Sequence, residues 1–151
     1  MNFEGMHKFE ALSGKYMIKP AVVDGNVIEN YYVCFEGNLF SSKRSNYLKK
    51  LRFSIAGNSP YPKISITENG KPRTLLLHRV VCETYHEFPT PIGISESDWK
   101  RTPRAVKALM RGLFQVNHID EQHANYHPSN LEWVTVKQNA RKHQELKMKA
   151  V

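Results

Sequence analysis

The stretch FQVNHIDEQHANYHPSNLEWVTVKQNARKH, residues 114–143, decides how this chain is read. Residues 114–119 form a strand pattern, residues 120–130 a polar loop, and Leu131 to Val134 a second strand. Thr135 then stands where a helix N-cap belongs, and Gln138 three residues on completes a capping box. The order is strand, loop, strand, helix. A two-stranded ribbon folded against a helix can set its first strand beside the first helical turns. Asn139 and His143 are four apart and share a helix face. Folded this way, Asn117, Asn139 and His143 gather around one point. His118, one step along the strand, points to the opposite side.

Upstream, residues 78–86 (HRVVCETYH) read as a short helix with Val81 and Tyr85 on one face and Cys82 beside them. Before it lies the clearest hairpin. Ile64 and Ile66 alternate with polar residues, Asn69-Gly70 is a favoured tight-turn pair, and Thr74 to Leu77 is the return strand. Residues 31–40 read as two short strands around Glu36-Gly37-Asn38, residues 41–60 as basic and loop-rich, and residues 1–30 as weakly patterned. Residues 87–100 read as a connector. Thr102-Pro103 reads as the cap and first turn of a helix with Val106, Leu109, Met110 and Leu113 on one side and Arg104, Lys107 and Arg111 on the other. The class is α+β: an N-terminal antiparallel β module (1–77), a basic helical region and linker (78–113), and a strand–strand–helix unit (114–151).

Composition narrows the function. The chain has 151 residues, and its Leu, Ile, Val and Phe content, about a quarter, is enough for a core. Its two cysteines cannot staple a secreted scaffold or build a four-Cys zinc site, and both read as small buried apolar residues. The four histidines 118, 123, 127 and 143 fit no common structural zinc spacing. No apolar run suits a membrane span, and the acidic N-terminus lacks the apolar core of a signal peptide, so the expectation is a protein of the cytoplasm. The net charge of +8 is clustered. Residues 43–52 and 100–111 hold five cations each and no acid, and residues 137–149 hold five against Glu145 alone. Such segregation suits a protein that follows a phosphate backbone.

The final third has a matching chemical logic. Phosphodiester cleavage needs water made nucleophilic and a leaving alkoxide stabilised. A neutral histidine is a competent base near pH 7, and amide oxygens suit hard cations that act as Lewis acids on phosphate. VNHID, Asn125, SNLEWVT and QNARKH together resemble the ββα-metal motif of HNH endonucleases, in particular the phage and intron homing type. LHRVV with Tyr85 is similar to the short helix preceding that motif. The stretch from Tyr32 through Gly37 to SPYPKISI resembles the small β module often fused to it. The resemblance covers roughly residues 31–145, with 87–113 as an insertion.

The resemblance implies roles residue by residue. His118 matches the general base, and Asn130 the residue that braces the loop and orients it. Asn117 and Asn139 match the ligands of one Mg²⁺ or Mn²⁺ per site, and His143 falls where some relatives have a further ligand. Asn125 ties the loop. Many relatives carry Asp where this chain has Asn117, so a negative charge is missing there. Arg79, Lys107, Arg111, Arg141 and Lys142 are the DNA-backbone candidates. His78 reads as a core or hydrogen-bonded histidine, His123 and His127 as loop surface, and Trp133 as a core plug under the motif. The implied activity is hydrolysis of double-stranded DNA to 5′-phosphate and 3′-hydroxyl ends, nicking one strand per chain, by a monomer or weak homodimer in a phage-infected bacterial host. A DNA-binding protein with a degenerate, inactive motif is the alternative, and action on RNA a weaker third.

Overall fold

A computed structural model of the chain describes residues 1–55, 57 and 59–149, apart from the side chains of Ala108 and His143. Helix and strand are both well represented, and all the paired strands are antiparallel. A short helix α1 (Lys8–Ala11) precedes β1 (Ile18–Val23), β2 (Asn26–Cys34), β3 (Leu39–Ser41) and β4 (Lys49–Lys50), which pair in the order β1-β2-β3-β4. The β1–β2 hairpin turns at Asp24 and Gly25, with φ of 54° and 79°. A type I′ hairpin turn needs positive φ at both central residues, which Asp-Gly supplies. Residues 18–30 are therefore more ordered than their weak patterning suggests. The turn signal VVDGNVI is in the sequence, but the alternation of β2 is lost at its far end, where residues 31–34 are buried on both faces. Tyr31 and Val33 enter one core cluster, and Tyr32 and Cys34 enter a second with Phe3, Ala11 and Phe40.

The second hairpin, β5 (Lys63–Glu68) and β6 (Lys71–Leu76), turns at Asn69-Gly70 as expected. β6 runs without a break into α2 (Leu77–Tyr85). Two findings correct the reading of residues 87–113. Glu96–Arg101 forms a helix, α3, inside the supposed connector, capped by Ser95, whose Oγ accepts from the Asp98 amide at 3.1 Å. The following helix, α4 (Arg104–Leu109), is short and gives way to a 3₁₀ turn at Met110–Leu113. That turn has three residues per repeat, so the 3.6-residue stripe breaks. Its apolar side does not enter the core: Leu109 is 82% exposed, and Val106 and Leu113 are also exposed. The Thr102 hydroxyl donates to the Asp98 carbonyl at 2.8 Å and so closes α3.

The last unit forms as expected: β7 (Phe114–His118), β8 (Leu131–Thr135) and α5 (Val136–Lys149). The capping box is reciprocal, with the Thr135 amide donating to Gln138 Oε1 at 2.9 Å and the Gln138 amide to Thr135 Oγ1 at 3.1 Å. The main core is shared by all parts of the chain. Ala21, Val33 and Leu39 meet Ile64, Val81 and Cys82 from the middle, and Phe114, Leu131 and Trp133 from the last unit. Trp133 is buried with its Nε1 donating to the His86 carbonyl at 3.1 Å, and both cysteines are buried thiols. The β2–β3 turn also touches the last unit, where Gly37 packs against the backbone of Tyr126.

Candidate active site

The pleat of β7 divides the candidate residues between two faces. Phe114, Val116 and His118 point toward the core and α2. Gln115 and Asn117 point to the side covered by α5. On the α5 side, Asn139 Nδ2 donates to Gln115 Oε1 at 2.8 Å, which fastens the first turn of the helix to the strand. Asn117 lies directly opposite Glu132 on β8 and donates from Nδ2 to Glu132 Oε1 at 2.9 Å. Lys142, from α5, donates to the same carboxylate oxygen. The two amides are left with oxygens to offer. Asn139 Oδ1 is buried with no hydrogen-bond partner among the described residues, and Asn117's nitrogen is the end turned to Glu132.

His118 occupies the other face, 5% exposed. Its ring lies 5.2 Å from His78 and 5.9 Å from both Tyr61 and His123, and Tyr61 lies 4.7 Å from His78 and 4.8 Å from His123. Burial pulls its pKa below the ordinary histidine value, the neighbouring His123 adds to this, and Asp120 opposes it. At pH 7 the imidazole is therefore neutral. His78 is buried with Nδ1 unpartnered. Its pKa is lowered to about 4 by burial and by the charges of His118, Arg79 and His123.

The loop that returns from His118 to β8 is tied by Asn130. Its Oδ1 accepts from the Asp120 amide at 2.9 Å, and its Nδ2 donates to Asp120 Oδ1 at 2.9 Å and to the Asn125 carbonyl at 2.8 Å. Asn125 Nδ2 donates to Asp120 Oδ2 at 2.7 Å. The Asn130 carbonyl also receives the Ile119 amide at 2.8 Å, immediately after His118. Asn130 therefore fixes the chain that leaves the histidine.

Both faces of the strand open into one cleft of about 340 Å³, lined by Asn117, His118 and Asn139 with Tyr61, Glu132 and Lys142 among others. Among the described residues no three His, Cys, Asp or Glu side chains gather as a metal site. The amides of Asn117 and Asn139 both line this cleft, and a buried, unpartnered Asn139 Oδ1 fits a hard cation that completes its shell with water and substrate phosphate. His143 was also expected here; its side chain lies outside the described residues.

Four of the five cationic candidates are engaged within the protein. Arg79 pairs with Glu83 at 3.5 Å and lies over the Trp133 ring. Arg111 pairs with Asp24 at 3.0 Å, Lys107 lies over Trp99, and Lys142 meets Glu132. Arg141 is exposed on α5. The site neighbours that sequence reasoning left unassigned are Tyr61, Gln115 and Glu132. Only Glu132 had a usable signal, since its place in β8 sets it across from Asn117.

No family model matches the chain. Over 110 residues, 73% of its length, it is 31% identical to an uncharacterised HNH endonuclease of Acanthamoeba polyphaga mimivirus. Its fold is similar to that of the HNH homing endonuclease I-HmuI, in a structure describing DNA binding and cleavage by that enzyme. The TM-score is 0.56 and the identity 25% over 79% of this chain. The chain spans 26% of the viral relative and 54% of the homing endonuclease. The chain is thus similar in sequence to one HNH endonuclease and in fold to an HNH endonuclease of the homing type. No helix among the described residues is long and apolar enough to cross a membrane.

Proposed function

We propose that this chain is a metal-dependent HNH endonuclease that hydrolyses phosphodiester bonds in double-stranded DNA. The observation that carries the reading is the split of β7: a buried, neutral His118 on one face and the amides of Asn117 and Asn139 on the other, opening into one cleft.

In this reading His118 takes the proton from the attacking water. Its lowered pKa favours the neutral form it needs, and Tyr61 and His78 restrict where its ring can turn. Asn130 sets the position of His118 by holding the loop that follows it. Asn117 and Asn139 would hold one Mg²⁺ or Mn²⁺, with His143 as a third candidate. When bound, the ion would polarise the phosphate and neutralise the leaving oxygen. Arg141, with Arg79, Lys107, Arg111 and Lys142, would meet the DNA backbone, several of them by exchanging an internal partner for phosphate. The products would be 5′-phosphate and 3′-hydroxyl ends, with one strand nicked per chain. The viral relative and the DNA described for the homing endonuclease favour a phage or viral setting and a DNA substrate.

The test is incubation with supercoiled plasmid in Mg²⁺ or Mn²⁺, with a chelator control and a His118→Ala variant. Metal-dependent nicking is expected, abolished in the variant while DNA binding stays within a few fold. DNA binding that ignores chelator, with no cleavage of plasmid or of long viral DNA under either metal, would replace this reading with that of a degenerate DNA-binding protein.

A further inference from the structure

We infer that Glu132 is a positioning residue for Asn117 and supplies beside it the negative charge that a carboxamide at 117 lacks. The inference rests on the functional reading above and extends it to a residue of the SNLEWVT stretch to which the resemblance gave no role.

The first argument is hydrogen-bond chemistry. Asn117 and Glu132 are directly paired across β7 and β8, so their side chains stand on the same face. Their contact is 2.9 Å. An ionised carboxylate only accepts hydrogen bonds, so the amide end facing it must be nitrogen. That settles which way Asn117 is turned: Nδ2 faces β8, and Oδ1 is directed away from β8. The same bond draws electron density toward Oδ1 and makes it a better ligand, as outer-shell carboxylates do for metal-bound histidines.

The second argument is charge. Asn117 and Asn139 are both neutral. The carboxylates lining the cleft are Glu121, Glu132 and Glu145, and of these Glu132 is the one bonded to a candidate ligand among the described residues. Lys142 Nζ and Asn117 Nδ2 both donate to Glu132 Oε1. A bare Glu132–Lys142 pair, 38% and 43% exposed, would be worth little by itself. A carboxylate that must also keep an amide turned outward has a reason to stay.

The experiment titrates the DNA-free protein with Mn²⁺ and follows free Mn²⁺ by electron paramagnetic resonance. Glu132→Gln keeps an acceptor for Asn117 and removes only the charge; it should weaken Mn²⁺ binding about tenfold while the melting temperature stays unchanged. Adding Asn117→Asp to that variant returns a charge to the ligand itself, and binding should recover to the wild-type level. Lys142→Ala removes the ion pair but leaves Glu132 on Asn117, and should bind Mn²⁺ at least as well as wild type. Wild-type affinity in Glu132→Gln would overturn this inference and leave the nuclease reading intact. Equal losses in Lys142→Ala and Glu132→Gln would also overturn it, in favour of a structural ion pair. Absence of Mn²⁺ binding by the wild-type protein would overturn the metal-dependent reading and this inference together.

Discussion

Gly37 offers a direct test of whether the N-terminal sheet holds the motif loop in place. It lies in the β2–β3 turn with φ of +86°, and a Cβ there would stand 2.4 Å from the Tyr126 carbonyl oxygen and 2.9 Å from its Cδ2. Tyr126 follows Asn125, whose carbonyl accepts one of the Asn130 bonds. Gly37→Ala therefore carries two costs. The left-handed backbone costs a residue with a side chain roughly 1–2 kcal/mol. The clash is with backbone and cannot be relieved by a rotamer, which adds about 1–3 kcal/mol of overpacking. Gly5 is the matched control: its φ is +81°, but nothing lies within 4 Å of a Cβ built on it. Urea unfolding followed by the fluorescence of the buried Trp99 and Trp133 would measure both variants. Gly37→Ala should lose about 1–3 kcal/mol more than Gly5→Ala. Its cleavage should fall by up to about 100-fold in the fraction that remains folded, as expected for a catalytic group displaced by about 1 Å. Equal destabilisation of the two variants would refute the claim that the turn and the loop are in rigid contact.

Three further outcomes follow from the same geometry. His78 is buried and neutral with a pKa of about 4 against 6.5 when unfolded, so only the unfolded chain takes up its proton between those values. Stability should be full above pH 6.5 and fall on the order of 3 kcal/mol as the pH drops to 4. A His78→Gln variant should flatten that decline, and urea midpoints across the range would show it; an unchanged slope would remove His78 as the cause. Asn130→Asp keeps the shape but sets a second carboxylate at Asp120 and loses both donated bonds. It should be less stable than Asn130→Ala at pH 7, with the gap narrowing below about pH 5 as the pair takes up a proton; denaturation at the two pH values checks this. Thr135→Ala breaks the capping box and should cost about 1 kcal/mol by thermal unfolding, with its largest effect on the helicity of α5.

How much of this was legible depends on how local each signal is. The capping box at Thr135 and Gln138, the Asn69-Gly70 turn and the strand–loop–strand order of 114–135 are written within a few residues, and each is found in the structure. The Asp24-Gly25 hairpin had the same kind of turn, but its second strand loses alternation at residues 31–34, which feed cores on both sides. In α4 the spacing of Val106, Leu109, Met110 and Leu113 suggested a buried face that the tightening into a 3₁₀ turn does not deliver. The surroundings of His118 were the least legible, since they are assembled by tertiary contact. Tyr61 and His78 flank the β5–β6 hairpin, and the Leu77 amide donates to the Pro62 carbonyl at 3.0 Å, closing the hairpin and bringing the two rings together.

That closure explains why an Asn-His pair at a strand end needs so much of the chain behind it. A pleated strand sends neighbouring residues to opposite faces, so Asn117 and His118 can serve one cleft only if both faces of β7 are supported. α5 supports one through Gln115 and Asn139. The other is supported by α2 and the segment before β5, which the N-terminal sheet in turn anchors through Ala21, Val33 and Val81. A ribbon and helix alone would leave His118 exposed, free to rotate and closer to the ordinary histidine pKa. The β module therefore belongs to the candidate site through the burial it gives His118, whatever it contributes to DNA contact. In a fragment starting at residue 114, His118 should lose both its burial and its lowered pKa, and a ring titration by nuclear magnetic resonance near 6.5 would show the loss.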